Sequence, residues 1–156
     1  ATSGAPIFTS VLRTISAIMG NPPMNLFPGR LNAAWDGGLQ LRLGQQSLPL
    51  ALRAATEERW RAWLDKPLTT GIRPEHLRLV NDGDGGVQVT VSDAEYLGHE
   101  TLLHVRVDDL DLPSAALVAR LPGIRPFHKG KAVRLSLDGA QLHGFGPDGK
   151  AVDGFR

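Results

Sequence analysis

Cysteine is absent from the 156 residues. This excludes disulfides, thiolate metal sites and a cysteine nucleophile, and leaves the redox compartment open. Aromatic side chains are sparse, at 6% with a single Tyr, and Lys plus Arg (17) nearly cancels Asp plus Glu (16). A net charge of +1 supplies neither the basic groove nor the exposed ring platform that nucleic-acid binding needs. No apolar run suits a bilayer: residues 7–19 are apolar-rich but contain Arg13 and are too few for a membrane helix. No basic stretch precedes them, as it would in a signal peptide. A phosphate cradle of the form Gly-x-x-x-x-Gly-Lys-Ser/Thr is missing; Gly146-Pro147-Asp148-Gly149-Lys150 lacks both the spacing and the hydroxyl residue. No Gly-x-Ser-x-Gly elbow marks a hydrolase.

What is present is an ordinary globular composition, 42% hydrophobic and 21% charged, long enough for one domain with a real core. The 18 Gly and 11 Pro fit many short strands joined by tight turns. The chain begins at Ala1 rather than Met, which suggests processing or excision from something longer. Residues 6–19 have a helical pattern: Ile7, Val11, Leu12, Ile15, Ile18 and Met19 share a face, with Pro6 at the start and Gly20 and Pro22 at the end. The opposite face is only weakly polar, so both ordinary core packing and packing on a partner domain remain open for it. Residues 20–29 carry three prolines and suggest a stiff extended connector.

From Arg30 onward the pattern is β. Strands are expected over 31–35, 39–43, 47–50, 87–91, 102–107, 117–121, 133–137 and 142–145, with turns at Asp36-Gly37-Gly38 and Gly44-Gln45-Gln46. One internal helix is expected over 56–64, capped by Thr56, carrying Glu57 and Glu58 in its first turn and closed by Pro67. Trp60 and Trp63 on it are expected to anchor the helix to the sheet. The aspartates of the 81–86 turn lack the ligand order of a calcium loop. His99, Glu100 and His104 lack metalloprotease geometry: the histidines are five apart, which on a strand puts them on opposite faces.

The most informative stretch is Thr70-Gly71-Ile72-Arg73-Pro74-Glu75-His76-Leu77. It reads as a strand over 68–72, a corner, and a second strand over 76–80. Pro74 fixes its own φ and holds Arg73 extended. Arg73 and Glu75, two residues apart, are expected to project to one side, either as a structural ion pair or as part of an interface.

Gly-Ile-Arg-Pro-Glu-His-Leu resembles the signature of the C-terminal regulatory domain of ABC importer ATP-binding subunits of the maltose and sn-glycerol-3-phosphate type. Gly20-Asn21-Pro22-Pro23-Met24-Asn25 is similar to that family's Gly-Ser-Pro-Pro-Met-Asn, with Asn21 in place of Ser. Leu97-Gly98-His99-Glu100, Lys129-Gly130-Lys131 and Leu142-His143-Gly144-Phe145 are similar to later family elements, so the resemblance runs over most of residues 6–145.

The resemblance implies a mainly β fold. This is an OB-like barrel of the transport-associated type with adjoining strands, one N-terminal helix and one short internal helix. It divides the chain into a lead-in and connecting helix over 1–21 and an OB-like regulatory domain over 22–156. It implies a regulatory and dimerisation role without catalysis, since the Ser-Gly-Gly-Gln motif of such ATPases is also missing. ATP and Mg would belong to a nucleotide-binding domain not contained here. The implied partners are that domain, a second copy of the subunit, permease subunits and, as a further candidate, a regulatory protein, on the cytoplasmic face of the membrane. The signature residues are Met24, Asn25, Gly71, Ile72, Arg73, Pro74, Glu75 and His76. A second reading is a small-anion or metabolite sensor: related domains of molybdate systems bind an oxyanion between barrels, and Asn25, Gly29 and Arg30 are loosely similar to that pattern, although its Ser-Ala-Arg-Asn wording is missing.

Overall fold

The computed structural model of the protein describes residues 23–108, 110 and 116–152. The helix expected over 6–19 lies outside them. Among the described residues, strands dominate and form two five-stranded antiparallel sheets.

The first sheet contains β1 (Asn25–Ala33), β2 (Leu39–Leu43), β3 (Gln46–Leu50), β4 (Leu68–Ile72) and β10 (His143–Phe145), in the order β10-β4-β1-β2-β3. Leu39, Leu41 and Leu43 of β2 and Leu48 and Leu50 of β3 face the core, while Arg42, Ser47 and Pro49 face water. Pro49 is tolerated because β3 is an edge strand, where a missing backbone donor costs no central ladder bond.

Strand β1 starts six residues earlier than the expected 31–35 strand and ends before Trp35. Residues 25–29 have a full ladder partner in β4, from Asn25 opposite Ile72 to Gly29 opposite Leu68, so the proline-rich stretch is a strand from Asn25. Pairing with β2 begins only at Arg30, leaving one side of β1 open where Pro28 lies. Trp35 instead sits in the hairpin turn and is 99% exposed.

Between β3 and β4 lies α1 (Ala54–Arg61). The expected cap was Thr56, but the helix begins at Ala54, so Thr56 falls inside the first turn and no side chain caps the end. Two alanines at the start, among the best helix formers, explain the earlier beginning. Glu57 and Arg61 pair at 2.9 Å, one turn apart. The chain leaves the helix through Asp65, whose positive φ of 61° ends the run, and the Asp65 N–H bonds the Leu31 carbonyl at 2.9 Å. Trp60 is fully buried and lies against Gly144 of β10, where an added Cβ would come within 3.1 Å of the indole ring. Trp63, half-buried, covers Gly146 in the same way. Trp60 anchors the helix as expected; the helix ends at Arg61 rather than at residue 64, so Trp63 packs from the turn that follows it.

The second sheet contains β5 (Leu77–Val80), β6 (Val87–Leu97), β7 (Glu100–Val107), β8 (Ala116–Pro122) and β9 (Ala132–Leu137), in the order β5-β9-β6-β7-β8. β6 and β7 form a long hairpin closed by Gly98-His99, and the φ of +61° at Gly98 is the left-handed backbone such a turn needs. A bulge between Val91 and Asp93 bends β6. The edge strands β5 and β8 approach each other, so the sheet curls towards closure as a partly open OB-like barrel. One continuous core joins the sheets, from Phe27, Leu31 and Leu41 through Trp60 to Val89, Leu103 and Leu135.

The three tryptophans occupy different environments, which makes their removal informative. Trp60→Ala is expected to cost about 3–5 kcal/mol of unfolding free energy. Trp35→Ala should stay within about 0.5 kcal/mol of the parent protein. Urea denaturation of both variants checks the ranking.

Candidate functional site at the junction of the two sheets

The central signature is the crossing point between the sheets. β4 ends at Ile72 in the first sheet, and β5 begins at Leu77 in the second. A short 3-10 turn, Pro74–His76, joins them. Pro74 occupies its first turn, where no donor is missed, and Arg73 before it is extended at φ −73°, ψ 148°. The His76 N–H bonds the Arg73 carbonyl at 3.0 Å, and the His76 carbonyl accepts from Asp138 at 3.2 Å. The turn packs against β8.

All five residues of β4 are buried. With β1 on one side and β10 on the other, both backbone edges are paired. Both faces are also covered, which leaves little room for side chains. At Gly71 an added Cβ would lie 2.4 Å from the sulfur of Met24 and 3.0 Å from Leu26. Gly71 is flanked by Leu26 of β1 and His143 of β10. Three motifs distant in sequence, at Met24-Asn25, Gly71-Ile72 and His143-Gly144-Phe145, therefore meet in three adjacent strands. The Thr70 hydroxyl donates to the Phe27 carbonyl at 2.9 Å, which satisfies a buried polar group within the same strands.

Asn25 has a specific task. Its amide nitrogen donates to the Val118 carbonyl, and its amide oxygen accepts the Val118 N–H, each at 2.8 Å. Val118 lies on β8, an edge strand, so the amide of Asn25 fills the place of a missing neighbouring backbone and ties the first sheet to the second. Gln46 does the same elsewhere: it accepts from the Gln88 N–H at 2.7 Å and donates to the Gln88 carbonyl at 3.1 Å. Around it, Gln88 and Thr90 both bond the Asp108 carboxylate, at 2.9 and 2.8 Å.

The signature residues thus divide. Met24, Asn25, Gly71, Ile72 and Pro74 are buried; Arg73 and His76 are half-buried; Glu75 is exposed. Arg73 is the last extended residue and Glu75 lies inside the 3-10 turn, so the two-residue strand repeat does not set the relative direction of the two side chains. Asn25, Gly29 and Arg30 do not converge. Asn25 and Gly29 share the inward face of β1, whereas Arg30 points the other way and donates to the Asp65 carbonyl. His104 pairs with Glu95 across the hairpin at 2.6 Å, Glu100 faces Arg120 at 3.4 Å, and His99 sits in the turn. The roles of Asn25 and Gln46 were not legible in sequence, since each partner lies tens of residues away and no local pattern announces an amide that stands in for backbone.

Two family models match, the MalK OB fold domain over residues 20–77 and the TOBE domain over residues 70–145. The chain belongs to this family of transport-associated OB-fold domains. The two matches overlap only across residues 70–77, the stretch that crosses between the sheets. Among curated proteins, it is 33% identical to the sn-glycerol-3-phosphate import ATP-binding protein UgpC of Salmonella choleraesuis, over 90% of this chain and 36% of that protein. It is 30% identical to the alpha-glucoside transport ATP-binding protein AglK of Rhizobium meliloti, over 88% of this chain and 36% of that protein. To UgpC of Escherichia coli K12 it is 31% identical, over 88% and 35%. The transport-associated domain chain therefore spans about a third of the length of these relatives. Among solved structures, a molybdate-bound form of the cytoplasmic molybdate-binding protein ModG superposes with a TM-score of 0.55 over 76% of this chain and 92% of that one. At 13% identity that likeness shows the fold alone.

The junction yields two expected outcomes. Gly71→Ala is expected to destabilise the domain by about 1–3 kcal/mol through overpacking, and Met24→Ala in the same chain should recover part of that loss. Asn25→Ala should cost about 1–3 kcal/mol by leaving the Val118 backbone groups unpaired. Equilibrium denaturation of the single and double variants measures both.

Proposed function

We propose that this chain is the regulatory and dimer-holding module of an ATP-binding subunit of an ABC importer for sugars or sn-glycerol-3-phosphate. One observation carries the reading. Relatives named for two different cargoes, a glycerol phosphate and an alpha-glucoside, match almost the whole of this chain at similar identity. A segment shared across cargoes follows the work of the ATP-binding subunit rather than cargo choice.

In this reading, residues 1–21 connect to a nucleotide-binding domain and residues 22–156 form the regulatory domain. ATP and Mg are held by the nucleotide-binding domain, and this module performs no catalytic step. Its partners are that domain, a second copy, the permease subunits reached through the parent chain, and a regulatory protein. It works in the cytoplasm, against the inner face of the membrane. Met24, Asn25, Gly71, Ile72 and Pro74 act as the internal brace that keeps the two sheets in one relative position. Arg73, Glu75 and His76 form the accessible rim of that brace. A module that holds two subunits together while their nucleotide domains open and close requires a stiff body, and the buried junction supports that requirement.

A second reading, a small-anion sensor, is favoured by the likeness in fold to the molybdate-binding protein. Light scattering and thermal shift together separate the two. The dimer-holding role predicts a dimeric mass at micromolar concentration, no saturable heat with MgATP, and an unchanged melting temperature with molybdate, tungstate, sulfate or phosphate. A monomer throughout the micromolar range overturns that role. A ligand at a hundred times its Kd stabilises the folded state by about 2.7 kcal/mol, so a concentration-dependent rise in melting temperature with one oxyanion supports the sensor.

A further inference from the structure

Four large hydrophobic side chains are exposed among the described residues, and three of them, Tyr96, Leu97 and Ile124, lie at one end of the molecule. There the β6–β7 hairpin ends and the loop over residues 123–131 passes. The loop runs back along β6 and is fastened by backbone at three places. The Gly123 N–H bonds the His99 carbonyl at 2.6 Å. The Phe127 N–H bonds the Tyr96 hydroxyl at 3.2 Å. The Gly130 N–H and the Lys131 carbonyl both bond Val91, at 2.8 and 2.9 Å. The loop is therefore held in a defined path without regular secondary structure.

Its side chains carry charge of one sign. Arg125, His128, Lys129 and Lys131 are all exposed, and residues 123–131 contain no Asp or Glu. Two carboxylates of the adjoining hairpin are engaged by side chains, Glu95 with His104 and Glu100 with Arg120, while Asp93 accepts the neutral Ala94 N–H and keeps its charge. Among the described residues, none of the four loop side chains has an ion-pair partner. The chain as a whole is nearly neutral, so this is a local positive surface with an apolar centre at Tyr96 and Ile124.

We propose that this surface, residues 123–131 together with Tyr96, is a docking site for an acidic segment of a partner protein that also offers an apolar side chain. Unmatched cations around exposed apolar groups are complementary to carboxylates around an apolar anchor. The fastened backbone lowers the ordering cost of binding. The same chemistry disfavours two other anionic partners. Three permanent cations fall short of the four to eight typical of lipid-binding clusters. One half-exposed Tyr gives no succession of ring platforms for a single-stranded nucleic acid. The inference rests on this surface alone and not on the dimer-holding role.

The test uses the full chain and a fluorescein-labelled synthetic peptide that alternates pairs of Glu and Leu, followed by anisotropy. The expected result is saturable binding that weakens as salt rises. Binding should weaken about tenfold in a Lys129→Glu/Lys131→Glu variant, and by a smaller factor in Lys129→Ala/Lys131→Ala. Ile124→Ala should weaken it without changing the salt dependence. Arg53→Glu/Arg78→Glu, which reverses exposed cations elsewhere, should bind as the parent does. Circular dichroism melts confirm that each variant is folded. The proposal is overturned by absence of binding, by equal losses in the loop and control variants, or by equal binding of a peptide with Gln in place of Glu. Tighter binding to phosphatidylglycerol vesicles or to an oligo-dT strand than to the acidic peptide also overturns it.

Discussion

A strand that leaves one sheet and must begin another five residues later has no slack. The chain ends β4 at Ile72 and opens β5 at Leu77, so the joining turn is short, its direction is set by Pro74, and the strand before it is enclosed on every side. Enclosure dictates the residue types. Gly71 leaves space for Met24, Thr70 finds a backbone acceptor in Phe27, and Ile72 joins the core. A bulkier or unpaired residue at these places would cost overpacking strain or an unsatisfied polar group. The last short strand, β10, returns to β4 and closes its open edge, so the beginning, middle and end of the domain depend on one another.

The shared core supplies most of the stabilisation, because apolar burial is non-directional and scales with area. That term does not decide how one sheet is placed over the other. The amides of Asn25 and Gln46 do, since each makes two directional bonds to a single residue of the second sheet. A slide of one sheet by one residue would break both bonds of a clasp at once. The net contribution of each clasp is modest, about 1–2 kcal/mol; misplacement costs more at Asn25, whose bonds to Val118 are part-buried, than at Gln46, whose bonds to Gln88 are exposed. The internal helix is fastened to the first sheet, with Trp60 pressed on Gly144 of β10.

The residues by which the chain resembles transport-associated domains fall into two groups. Met24, Asn25, Gly71, Ile72 and Pro74 at the junction cannot be seen from outside, whereas Leu97-Gly98-His99 and Lys129-Gly130-Lys131 are exposed. The buried group identifies a rigid body. Recognition, by contrast, belongs to groups that water reaches, and loops on a fixed scaffold are the usual place for them. The loop over residues 123–131 has that position, tied to β6 by its backbone while its cations face outward. The exposed Glu75 gives the junction its own outward charge.

Much of the fold was legible in the chain itself. Alternation in Leu39, Leu41 and Leu43, the turns around Gly37 and Gly44, the proline corner at Pro74 and the anchoring Trp60 all follow from periodicity and local backbone chemistry, which act between residues a few positions apart. Local chemistry misled where a distant partner intervened. Residues 25–29 look like a stiff connector until β4 supplies a ladder, and His76 looks like the start of a strand until the 3-10 turn over Pro74–His76 is wound. The pairing of Asn25 with Val118, 93 residues away, and the meeting of three motifs around Gly71 have no local signature. Sequence determined which segments could be strands, where they had to turn and that no residue pattern for catalysis accompanied them. Only the tertiary structure decided which edges and faces met, because hydrogen-bond partners and buried surface are assigned across space rather than along the chain.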